Sequence, residues 1–347
     1  MLTFESDYMM GACPEVLKGL SEGMTGQYPG YGRDEVSARA KEKIRRAAGC
    51  ENADIYFIAG GTQTNAMVIS ACLKEYEGVV SAVTGHINAH EAGAVEYTGH
   101  KVLPLPQHLG KIDPGELKEL LEAFYADDNH EHMVYPGMVY ISHPTEYGTL
   151  YSLEELKKLH EICAFYDIPL FLDGARLGYG LMSHATDVTL KDIAEYTDVF
   201  YIGGTKVGAL FGEAVVFPRD NAPKGFYTMT KQHGAMLAKG FVLGQQFDTL
   251  FTDGLYFRIS AHAIEMAEKL KKILKEEGIM LFIDSPTNQQ FACLEDPFLE
   301  KLSKKVRTSF WEKPDKAHTV VRFATSWYTT EAELSELSGI LKALREM

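Results

Sequence analysis

The chain has 347 residues, a length that fits two domains of roughly 150 residues each. Its 34 basic and 48 acidic side chains leave a formal charge of −14, so phosphate backbones and anionic lipid repel it, and nucleic acid and membrane are excluded as partners. A 46% hydrophobic share beside 24% charged residues supports a sizeable core and excludes intrinsic disorder.

The opening MLTFESDYMM has neither the basic nor the apolar region of a signal peptide, and no later apolar stretch approaches the roughly 20 residues that span a bilayer. A cytoplasmic protein is expected. Asp34–Ala48 reads as a helix, with Val36, Ala40 and Ile44 four apart on one face. Asp54–Ile58 (DIYFI) reads as a strand running into a glycine turn and a further helix. Val79–Val83, Lys101–Leu105 and Met138–Ile141 are strand candidates, with helices expected at Asp113–Tyr125 and Leu153–Tyr166. Ile168–Leu172 (IPLFL) and Asp198–Ile202 (DVFYI) follow as strands on either side of a helix at Leu190–Tyr196. Continuous apolar strands alternating with helices predict an α/β fold, a mostly parallel sheet sandwiched by helices.

Near Gly225–Gly244 the pattern changes to long helices with small residues, and Ala261–Glu277 is amphipathic. Strands near Ile279–Ile283, Gln289–Cys293 and Thr319–Ala324 and a closing helix Glu331–Arg345 predict a smaller C-terminal α+β domain. The expected division is 1–245 for an N-terminal arm and large domain and 246–347 for the small one. Cys13, Cys50, Cys72, Cys163 and Cys293 are odd in number and form no CxxC, so buried thiols are expected rather than disulfides or a zinc site. His130 and His132 fall in a polar stretch after a helix and read as solvated loop rather than metal ligands. The KLKKILKEE run reads as a solvated helix face.

Three strand ends carry the chemistry. Gly60-Gly61-Thr62-Gln63 follows DIYFI, Asp173-Gly174-Ala175-Arg176 follows IPLFL, and Gly203-Gly204-Thr205-Lys206 follows DVFYI. In an open parallel sheet such turns converge on a crevice beyond the carboxyl ends of the strands. Gly61 and Thr62 open a helix, whose free N–H groups form an anion site. Asp173 ends an apolar strand, where a carboxylate needs a cation or donors. Lys206 brings an amine. A phosphate cradle, an acid and an amine together match the needs of pyridoxal phosphate: an anchor, a partner for the ring nitrogen and a Schiff-base lysine. A dinucleotide site is the competing reading, but no GxGxxG follows a strand.

The segments FIAGGTQTNAM, TGHINAHEAGA, SHPTEYGTLYS, FLDGARLGYG, YIGGTKVGALFGEA and VVRFATSW occur in the order seen in the threonine aldolase group. That group belongs to the β-eliminating lyase family of pyridoxal-phosphate enzymes, with the aspartate-aminotransferase fold. The chain resembles it from FESDY to the TSW after Arg322. The resemblance implies that Lys206 bonds pyridoxal 5'-phosphate, Asp173 partners its ring nitrogen, Gly61 and Thr62 hold its phosphate, and His86 stacks on its ring. It further implies that Ser6, Arg176 and Arg322 hold a substrate carboxylate. Tyr31 resembles a segment that approaches the site from a neighbouring subunit, and Lys231 one near the phosphate of the adjoining protomer, so a homo-oligomer, dimer or tetramer, is expected. Where many bacterial members have a threonine–histidine pair, this chain reads Thr145-Glu146-Tyr147-Gly148, which makes Glu146 a candidate base with His86 as its rival. His143 reads as a loop residue that could substitute. The expected activity is cleavage of threonine or allo-threonine to glycine and an aldehyde, with no metal. A β-eliminating lyase or aminotransferase, or a non-catalytic phosphate-ligand binding protein on the same fold, remains open.

Overall fold

The computed structural model describes residues 1–346. In chain order the strands are β1 (Leu2–Thr3), β2 (Asp54–Ile58), β3 (Glu77–Ala82), β4 (Val102–Leu105), β5 (Tyr135–Ser142), β6 (Leu170–Asp173), β7 (Val199–Gly203), β8 (Glu213–Phe217), β9 (Met280–Ile283), β10 (Gln289–Glu295), β11 (Val306–Arg307), β12 (Ser309–Glu312) and β13 (His318–Ala324). Seven of them form one sheet in the order β2-β8-β7-β6-β5-β3-β4. All neighbours in it are parallel except at β8, which runs antiparallel to both β2 and β7. The expected strands are present with ends shifted by up to three residues. The EAVVF strand β8 is additional to the expected strands and follows β7 without an intervening helix.

Alternation along the strands divides the core between the two faces. Ile55, Val139, Ile141, Leu170, Leu172, Phe200 and Ile202 pack beneath helices Glu35–Ala48, Pro114–Ala126, Leu153–Phe165 and Leu190–Tyr196. Tyr140, Phe171, Tyr201, Val215 and Phe217 face the helix Gly61–Cys72 through Met67, Val68 and Ile69. Helix starts follow local chemistry: the Asp34 carboxylate accepts the Ser37 N–H at 2.7 Å, and Ser152 closes a capping box with Glu155. Val36, Ala40 and Ile44 are buried, as their spacing predicts.

The second sheet is antiparallel in the order β12-β13-β10-β9. Helices Leu255–Glu276 and Glu331–Arg345 cover it through Met266, Leu270, Leu274, Leu334, Leu337 and Leu341. Around Gly225–Gly244 the expected long helices are two short ones, Phe226–Gln232 and Phe241–Leu250, parted by a turn at Gly234 with φ of +67°. Phe241–Leu250 straddles the expected boundary at residue 245 and packs on Glu35–Ala48. The amino terminus crosses to the small sheet: β1 pairs in parallel with β11, and Phe4 O accepts the Ala324 N–H at 2.8 Å. No helix among the described residues is long and apolar enough to cross a membrane.

Candidate active site

The carboxyl ends of β2, β5, β6 and β7 open on one crevice lined by Gly60, Gly61, Thr62, His86, Glu146, Asp173, Arg176 and Lys206. Close backbone approach explains the glycines after β6 and at the end of β7. A Cβ on Gly174 would stand 2.0 Å from the Tyr201 carbonyl oxygen, and one on Gly203 2.2 Å from that of Ala175. Only glycine lets these turns pass each other.

Asp173 is buried at the end of β6, and four donors meet its carboxylate. Tyr201 Oη lies at 2.5 Å, Tyr140 Oη at 2.6 Å, the Ala175 N–H at 2.9 Å and Asn65 Nδ2 at 3.0 Å. Burial alone would raise its pKa, but the His86 charge and these donors outweigh it and hold the carboxyl below the ordinary range. Asp173 is therefore an anion.

His86 is fixed on two sides. Its Nδ1 is 2.7 Å from Glu91 Oε1, and its backbone N–H donates to Glu146 Oε1 at 2.9 Å. Asn65 Nδ2 also donates to Glu91 Oε1 at 2.7 Å, which ties the histidine's partner to Asp173. Burial would lower the imidazole pKa, but the Glu91 bond and the Asp173 charge raise it. Glu146 Oε1 accepts from Ser142 Oγ at 2.6 Å, while its Oε2 is buried with no partner among the described residues. Burial raises this carboxyl above the usual carboxylate range, against the pull of Ser142 and His86. His143 lies elsewhere: its Nδ1 accepts the Tyr151 N–H at 3.3 Å, and burial pushes its imidazole down to about 4.

Lys206 Nζ makes no hydrogen bond among the described residues and stands 5.9 Å from the Tyr8 ring centroid. Burial and the Arg176 charge lower its pKa, against Asp7, Glu213 and Asp173. Arg176 donates from Nε and Nη2 to the buried Asp7 carboxylate at 2.6 and 3.0 Å, which leaves both Nη1 donors and the second Nη2 donor uncommitted. Arg322 stands beside that pair, close enough for the Arg176 and Asp7 charges to act on it. It donates to Gln289 Oε1 at 2.9 Å and, at 3.3 Å each, to the Glu5 carbonyl and Ser309 Oγ. Burial and Arg176 bring its pKa down to about 10. Ser6 thus sits between Glu5, held by Arg322, and Asp7, held by Arg176, with a buried Oγ that has no partner among the described residues.

Tyr31 and Lys231 are placed together but away from the crevice. Lys231 Nζ lies 4.2 Å over the Tyr31 ring, and Tyr31 shares a separate hollow with Arg33, Lys41 and Tyr227. Sequence reasoning missed Asp7, Asn65, Tyr140, Ser142, Tyr201 and Glu213. The two tyrosines lie within apolar strands, and their signal is only their position on the strands flanking β6.

The model of the family described as beta-eliminating lyase matches residues 3–322. The chain belongs to that family. Within the beta-eliminating lyases it is similar to the low specificity L-threonine aldolase of Pseudomonas sp., with 30% identity covering 98% of this chain and 97% of that protein. A second such aldolase, from Pseudomonas aeruginosa, is 28% identical and covers 96% and 95%. Among solved structures, threonine aldolase of Leishmania major superposes with a TM-score of 0.95 at 39% identity, covering 99% of both chains. Aspartate aminotransferase from Thermus thermophilus, at 14% identity and a TM-score of 0.72 over 99% and 91%, shares the fold.

The residues of this lyase fit pyridoxal phosphate. Nothing lies within 4 Å of where a Cβ on Gly60 would stand, so the helix start has room for a phosphate beside its unpaired first-turn N–H groups. An anionic Asp173, an unbonded amine on Lys206 and the Glu146 side chain line the same space.

Proposed function

We propose that the protein is a pyridoxal-phosphate-dependent aldolase that cleaves threonine or allo-threonine to glycine and acetaldehyde. The observation that carries this reading is the buried Asp173 anion, clamped by Tyr140, Tyr201, Asn65 and the Ala175 N–H in one crevice with the Lys206 amine. The cofactor supplies an electron sink for the Cα–Cβ bond that breaks. Lys206 is the amine that bonds it, and Asp173 keeps a proton on its ring nitrogen. The N–H groups at Gly61 and Thr62 hold its phosphate, and the His86 ring covers its face. Lys231 and Tyr31 act toward a second protomer of a homo-oligomer.

Arg176, through the donors not given to Asp7, together with Arg322 and Ser6 Oγ holds the substrate carboxylate, which orients the scissile bond. Glu146 takes the β-hydroxyl proton at Oε2, the oxygen not committed to Ser142 and His86. The large domain holds the cofactor, and residues beyond about 245 form the smaller domain that brings Arg322 to the substrate.

Borohydride reduction of the protein loaded with pyridoxal phosphate, followed by peptide mapping, should place the label on Lys206. Threonine and allo-threonine should each yield glycine and acetaldehyde in equal amounts. A label on Lys231 or Lys239 refutes the lysine assignment. Pyruvate and ammonia from a β-substituted amino acid, without glycine, refute the aldolase.

A further inference from the structure

Glu213 begins β8, the one strand that runs against its neighbours, so its amino end lies at the edge where the other strands end. The side chain is 4% exposed and lines the crevice with Lys206. Its Oε2 accepts the Gly204 N–H at 3.0 Å, and its Oε1 accepts from Thr205 Oγ1 at 2.8 Å. Thr205 Oγ1 in turn accepts the Gly212 N–H at 3.0 Å. One carboxylate is thus bonded to both residues that precede Lys206, and the same hydroxyl joins that turn to the turn entering β8.

We propose that Glu213 is a positioning residue for Lys206, which fixes the turn that carries the amine and supplies a counter-charge to it. The inference rests on Lys206 as the cofactor-bonding amine. The amine must be neutral to attack a carbonyl carbon and charged when it holds an extra proton, so the anions around it set how readily it changes state. Arg176 opposes its charge, while Asp7, Glu213 and Asp173 favour it. Of these anions Asp7 is forked by Arg176 and Asp173 is bound by two phenols. Glu213 is bonded to the lysine's own turn.

The carboxyl is itself poised. Burial pushes it up to about 7, against the Lys206 charge and the Thr205 and Gly204 bonds, with Asp173 adding to the rise. Tyr201 and Tyr256 face it from β7 and from helix Leu255–Glu276 and are held neutral by burial. Lys206 is then the cation to which Glu213 responds.

The test is the pH dependence of Lys206 labelling by an amine-reactive arylating reagent in the full chain, read by mass spectrometry. Glu213→Gln removes the charge and keeps the shape, and its labelling midpoint should fall by about one pH unit. Glu213→Met serves the same purpose if the amide does not fold, and Glu213→Asp, which keeps the anion, should stay nearer the wild-type midpoint. A wild-type midpoint in either neutral variant overturns the proposal, even where thermal stability falls, because a merely structural role does not move the lysine's titration. Borohydride mapping that misses Lys206 fails the cofactor reading, whereas the labelling midpoint measures the Glu213 effect without any cofactor.

Discussion

Asp7→Asn removes the charge from the buried fork with Arg176 while keeping the size of the side chain. The Arg176 charge and hydrogen bonds overcome burial and bring the Asp7 carboxyl from its ordinary 3.8 to about 2. At about 1.4 kcal/mol per pH unit, the native contribution of that carboxylate is about 2.5 kcal/mol. A depressed carboxyl contributes fully above its unfolded value and loses the contribution as pH falls through 3.8 toward 2. Leaving a buried guanidinium without its partner carries the loss toward about 3–5 kcal/mol. Urea unfolding at pH 7 should show the variant weaker by about 2.5–5 kcal/mol, and the gap should shrink as pH drops below 4, because the wild type then loses the same interaction. Steady-state assays at pH 7 should show a raised KM for threonine, since Arg176 is no longer held in place. A difference under about 1 kcal/mol at pH 7, the worth of an exposed ion pair, refutes the reasoning, as does a gap that ignores pH.

Tyr201→Phe deletes one of the two phenol donors to Asp173; a hydrogen bond to a charged group is worth about 1.5–3 kcal/mol, so kcat/KM should fall about 10- to 150-fold, with cofactor retained as judged by absorbance. Glu146→Gln should bind glycine unaltered and lose the acidic limb of the kcat profile for threonine. In the wild type that limb should lie above the usual carboxylate range, because burial raises the Glu146 carboxyl. Survival of the limb in Glu146→Gln and its loss in His86→Phe assign the proton to the histidine. Arg322→Lys keeps charge but cannot serve Gln289, the Glu5 carbonyl and Ser309 together. Its kcat/KM should drop by about 5- to 150-fold, and an unchanged value removes Arg322 from carboxylate binding.

The strands β2, β6 and β7 were legible because each is an apolar run ended by a glycine turn, and the rule that ligands sit at carboxyl ends then brought Gly61, Asp173 and Lys206 together. The same rule hides Glu213, which stands at the amino end of a reversed strand. Tyr140 and Tyr201 read as core residues, and their phenol oxygens acquire meaning only when β5 and β7 flank Asp173. Asp7 lies 169 residues from Arg176, and no local pattern reports a pair that distant. Glu146 was legible as a departure from a family pattern, but its division of labour, one oxygen bonded and one spare, is a tertiary fact.

The crossing of the amino terminus to the small sheet sets an order of events during synthesis. Leu2 and Thr3 pair with Val306 and Arg307, and Phe4 accepts from Ala324. A ribosome adding about 5–20 residues per second needs roughly 15–60 s to make the intervening stretch. Once β8 has been made the seven-stranded sheet can assemble, with Asp173 and Lys206 in place, but residues 2–4 still have no strand to join. Asp7 has no fixed route to Arg176 until they do. Emergence of β11 and β13 is therefore the step that lets the amino terminus dock, and nascent chains halted before β11 should lack the Asp7–Arg176 fork.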